Sequence, residues 1–200
     1  MNSENVKLLL AIERRAKSIP YPREEREDGT NHGFKDLKSN PSAIHEVAEI
    51  RDCSSLRDAL MAINDPDTQF FTVGCEKSLN EHKGKYWKKG FIEFSFNHPE
   101  LVRDAGSYFP LFFHFHQALP TAEFLSQHSI QFCWELQGCR FRKVGVEGFT
   151  CCVWITTGDY PTADESEDVW DEGVRLIGKY LARFKFASLP PSPPIYALPH

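Results

Sequence analysis

The chain carries none of the short signatures of phosphate, dinucleotide or protease chemistry. There is no GxxxxGK[S/T] loop, no GxGxxG, no GxSxG elbow, no HExxH and no paired CxxC. A basic excess is also missing: 23 Lys and Arg stand against 28 Asp and Glu, a formal net charge of -5. That balance is the reverse of what a phosphate backbone selects, so non-specific nucleic-acid binding is not expected. Long hydrophobic runs are absent as well. The apolar stretch Leu8 to Ile12 follows a lysine and meets Glu13, Arg14 and Arg15 at once, too short for a membrane span or an export signal. These absences predict a soluble, cytoplasmic protein with no membrane association, no cofactor and no bound metal.

What is present is material for a core. Apolar residues make up 41% of the 200 residues, aromatics 13%, and phenylalanine alone occurs 16 times. A chain of this length buries roughly 70% of its unfolded surface, so one domain over 1–188 is expected, followed by a Pro-rich tail over 189–200. The six cysteines, at 53, 75, 133, 139, 151 and 152, read as reduced thiols, four of them inside apolar strand-like runs. Cys133, Cys139, Cys151 and Cys152 do not suit zinc. Adjacent Cys151 and Cys152 point to opposite faces of a strand, and structural zinc draws its thiolates from knuckles.

Periodicity predicts the elements. Ser3 and Glu4 followed by Val6, Leu9, Leu10, Ile12, Ala16 and Ile19 describe a capped amphipathic helix over 4–18, ended by Pro20. Residues 20–42 are charged and rich in breakers, a long loop free to move. Helices follow over 42–49 and 55–63, then a β-hairpin turning at Glu81 to Gly84, with Ile92, Phe94 and Phe96 alternating against Glu93 and Ser95. A helix begins at Pro110, with a shorter one over 121–127. Strands over 129–137, 139–144 and 149–157, separated by short glycine-containing links, form an antiparallel meander. The last helix is the clearest. Val169, Trp170, Gly173, Val174, Ile177, Tyr180, Leu181 and Phe184 hold one stripe, with acidic residues at the start and Lys179, Arg183 and Lys185 at the end. The expected class is α+β: a mostly antiparallel sheet of about five strands, hairpin plus three-stranded meander, with helices packed mainly on one face.

Candidate chemistry is confined to weak constellations. His114-Phe115-His116 would present two imidazoles to one side of a strand, but on a helix the rings diverge and flank a buried stripe. The polar face of the sheet is more informative. Gln131, Cys133, Glu135 and Gln137 alternate with Ile130, Phe132, Trp134 and Leu136, while Arg140 and Arg142 line the next segment. If the polar rows coincide, Glu93, Glu135, Arg140 and Arg142 form one charged patch, which is the expected binding surface. The expected function is non-catalytic binding of another macromolecule, a protein, through this face, a sheet edge or the Pro-rich tail. The alternatives are a hydrolase-like enzyme using Glu93 and Glu135 with His114 or His116, and a small-ligand binder with an aromatic pocket.

Overall fold

The computed structural model describes residues 6–10, 17–26, 29–119, 127–186 and 192–197. Its class is α+β, and the sheet is mixed rather than purely antiparallel. Strands β1 (Val6–Leu10), β2 (Lys17–Ile19), β5 (Phe70–His82), β6 (Lys85–Phe96), β7 (Ile130–Phe141) and β8 (Val146–Thr157) form one sheet in the order β1-β7-β8-β6-β5. β2 shares the β7 edge with β1. Both run parallel to β7, and every other ladder is antiparallel. A separate two-stranded ribbon joins β3 (Glu24–Arg26) to β4 (Gly29–Asn31).

The N-terminal helix predicted over 4–18 is therefore corrected to strand for its described residues. A short continuous apolar run satisfies a buried parallel strand as well as a helical stripe, and the β7 edge settles the choice by supplying backbone partners. The helix over 42–49 is instead two 3-10 turns, Pro41–Glu46 and Ala48–Ile50. The meander contracts to two long strands. Gly138 keeps an extended place in the ladder opposite Phe149, and the chain turns at Gly145, whose φ of 64° a side-chain-bearing residue rarely adopts. The helix expected over 121–127 falls largely outside the described residues.

Among the described residues the α-helices are α1 (Ser54–Ile63), α2 (Pro99–Arg103), α3 (Phe109–Ala118) and α4 (Ala163–Arg183). The hydroxyl of Thr162 caps α4 by accepting from the Glu165 amide at 3.2 Å. Its apolar stripe lies on the face formed by Phe132, Trp134, Val153, Ile155, Ile92 and Phe94, all buried. Trp170 is fully buried there and donates its indole N–H to Ile155 O at 3.1 Å. α3 seats Phe115 on the same face, its ring 5.1 Å from Phe132 and 5.4 Å from Trp134. No helix among the described residues is long and apolar enough to cross a membrane.

The opposite face is covered differently. Phe71 and Phe141 project from it and meet Phe34 from the segment after β4 and Tyr196 from the C-terminal segment. Asn97 clasps the Tyr196 backbone, accepting from its N–H at 2.8 Å and donating to its carbonyl at 2.7 Å. Ile195 and Tyr196 are buried, so these two residues of the Pro-rich tail belong to the packed interior.

Candidate functional site

The sheet curls around this second face. In a flat sheet β2 and β6 would lie about 14 Å apart, three strand spacings across β7 and β8. Yet the ammonium of Lys17 on β2 donates to Glu93 Oε2 on β6. Just past β2, the hydroxyl of Tyr21 donates at 2.8 Å to the carbonyl of Val73 on β5, the far edge. That carbonyl sits in a β-bulge, where the register with β6 shifts between Thr72 and Gly74. The bulge takes a residue out of the ladder and leaves it open to a new partner. Gly74 is glycine for a steric reason as well: a Cβ there would stand 3.1 Å from the Tyr21 hydroxyl and 3.8 Å from Glu93 Oε2.

Between the curled sheet and the β2–β4 segment lies a cavity of about 780 Å³. Lys17, Tyr21, His32, Phe91, Glu93 and Arg142 are among its lining residues, and it extends over the β5 edge to Glu49 on the second 3-10 turn. Glu93 is buried at 4% exposure. Its Oε2 is held by Lys17, but its Oε1 is enclosed with no hydrogen-bond partner. A buried, unsatisfied carboxylate oxygen is costly, on the order of 1–3 kcal/mol or more for a charged group.

Glu135 sits in the same cross-strand row, since both it and Glu93 pair with Cys152 on β8 from opposite sides. Two strand spacings separate their backbones, about 10 Å. Glu135 accepts from the Trp154 indole N–H at 3.0 Å. Beside it the Trp154 ring meets Phe91 at 4.7 Å and takes the Lys89 ammonium 4.5 Å over its face. The thiols in this region are held neutral. Burial, with the Glu93 charge adding to it, pushes Cys139 up to about 12. Burial also raises the Cys152 thiol, reinforced first by Glu93 and then by Cys151 and Glu135. A thiol held protonated is a poor nucleophile, so neither Cys139 nor Cys152 is activated for covalent chemistry. Cys53, Cys75, Cys139, Cys151 and Cys152 form no disulfide.

The structure brings together only part of the predicted patch. Glu93 and Glu135 share a face, and Arg142 joins Glu93 at the cavity. Arg140 does not: it is exposed opposite Glu147 and, two residues from Gly138 in an unbroken strand, points with the even-numbered residues away from Glu135. His114 and His116 ride on α3 across the sheet. His114 lies edge-on to Phe184 at 5.9 Å and His116 stacks on Phe112 at 6.2 Å, so neither reaches the carboxylates. Lys17, Tyr21 and His32 were not singled out from the sequence. Their only advance signal is a polar residue beside an apolar one in a segment read as helix and loop. Among the described residues, no cluster of three or more His, Cys, Asp or Glu is placed to hold a metal ion. Comparison with protein-family models, with curated proteins and with solved structures gives no match.

Proposed function

We propose that this chain is a non-catalytic, cytoplasmic binding protein and that the cavity over the curled sheet holds a small ligand. The observation that carries the reading is Glu93, a buried carboxylate with one oxygen paired to Lys17 and the other without a partner at a cavity large enough for a small molecule. Neutral thiols and the distance of the α3 histidines favour binding over catalysis. The experiment is retention. Protein incubated with the small-molecule fraction of a cell extract, then desalted, is weighed by native mass spectrometry beside Gly74→Leu, whose side chain would enter the space bounded by Tyr21 and Glu93. Wild type should retain a mass that the variant loses, and equal retention, or none by either, overturns the reading.

A second reading, a protein partner, has one observation of its own. β5 is an outer strand of the sheet, and its Glu76–His82 stretch is largely exposed, the setting in which an extended peptide adds to a sheet. Peptide-array binding that is lost on inserting proline at Ser78 would support it.

A further inference from the structure

The chemistry of the cavity narrows the ligand class. Glu93 lines the cavity and its enclosed Oε1 is an acceptor without a donor, so a ligand that draws this carboxylate into the cavity must bring an N–H or O–H. The surrounding charge favours a cation among donors. Glu49 and Glu76 line the cavity with Glu93; of the lining cations, Lys17 is committed to Glu93, and Lys35 bonds Glu46 at 2.8 Å, outside the cavity. Arg142 is the remaining positive charge and is exposed at the mouth. The floor beneath carries a second carboxylate, because Glu135 stands opposite Glu93 across Cys152 in the same cross-strand row. An apolar surface adjoins. Phe91 lies two residues from Glu93 on the same strand face, about 7 Å along β6, and is edge-packed on Trp154. The aromatic pair already accepts a cation from outside, in the Lys89 ammonium over the indole.

Resting on the cavity as the ligand site, we infer that it takes a small organic cation: a primary ammonium or guanidinium that donates to Glu93 Oε1, joined through a short spacer to a flat apolar group lying against Phe91. A carboxylate or phosphate ligand is disfavoured by the same wall of glutamates.

Three probes of one shape separate the class from the site: phenethylammonium, the neutral 2-phenylethanol and the anion phenylacetate, each titrated into the full chain and followed by amide NMR shifts at Tyr21, Gly74, Phe91 and Glu93. The expected result is phenethylammonium binding on the order of tenfold tighter than either analogue, the margin of one charge-assisted hydrogen bond. Glu93→Gln should erase that preference while leaving a weak response to all three. If Glu93→Gln fails to fold, Phe91→Leu stands in, and it should weaken phenethylammonium more than n-butylammonium, which has no ring. Equal or better binding of the alcohol or the anion, at the same resonances, overturns the cationic class and leaves the cavity as a site. No shift at these residues with any probe overturns both. Shifts confined to other regions do the same.

Discussion

Replacing Lys17 with methionine should destabilise the fold more than replacing Glu93 with glutamine, although the two side chains form one ion pair. The asymmetry follows from burial. The Lys17 side chain is 32% exposed, and the Glu93 side chain 5%. Remove the carboxylate, and the ammonium can turn to water. Remove the ammonium, and the carboxylate keeps both oxygens enclosed, with Oε1 already unpartnered. Breaking a buried pair costs about 3–5 kcal/mol. Partial exposure of the lysine weakens the pairing, so about 2–3 kcal/mol is expected for Lys17→Met and about 1 kcal/mol for Glu93→Gln. The double variant removes the stranded charge and should recover about 1–2 kcal/mol relative to the sum of the singles. Urea unfolding of the four proteins under matched conditions gives each value from the shift in midpoint at constant slope. Additive single effects, or a Glu93→Gln loss larger than that of Lys17→Met, would refute the buried pair and with it the curl that brings β2 over β6.

Trp170→Ala should cost about 3–5 kcal/mol in guanidinium unfolding, because the fully buried indole leaves both a cavity against the sheet and an unpaired Ile155 carbonyl; an unchanged transition would show that the α4 stripe does not face the sheet. Cys139 gives a pH dependence whose sign is fixed. Its folded thiol titrates near 12 against 9 for the model thiol, so the unfolded chain releases this proton first, and the stability it contributes is full below about pH 9 and is lost as pH rises towards 12. The loss is about 1.4 kcal/mol per pH unit inside that window, and Cys139→Ala should flatten the alkaline limb of a stability-against-pH curve by that amount.

The elements most legible in the sequence are those whose evidence is local. α4 announces itself through its acidic first turn and a stripe that holds for over four turns, and the structure places Trp170 and Ile177 in the core. The β5–β6 hairpin is legible for the same reason: alternation along its second arm and a turn at Lys83 and Gly84, both with positive φ. What the sequence hides is non-local. Whether Val6–Leu10 is helix or strand depends on an open β7 edge more than a hundred residues away. Reading Gly138 as a turn rather than a ladder position also loses the parity count, which is how Arg140 comes to be grouped with Glu135 although it projects from the other face. Glu93 is found by alternation alone, but its partner Lys17 stands in the segment misread as helix. The pair is thus half visible.

The two faces of the sheet put their polar groups under different constraints. On the helix-covered face several inward polar groups have partners: Thr157 and Ser166 bond each other at 2.9 Å, and Lys88 reaches Glu167 at 3.1 Å and the Trp170 ring at 5.0 Å, while the Trp134 indole N–H has none. On the curled face the chain keeps a carboxylate where the packing alone asks for an apolar side chain of similar volume. Such a replacement for a buried ion pair is commonly neutral or stabilising by about 1–4 kcal/mol. Glu93 departs from that rule on three counts: it is charged, enclosed and only half hydrogen-bonded. Local rules broken together at one place, with Oε1 left without a partner among the described residues, are the ground for the ligand proposed here. A ligand donor on Oε1 would complete the carboxylate's hydrogen bonding, and ligand binding to the folded state alone would raise stability in step with ligand concentration.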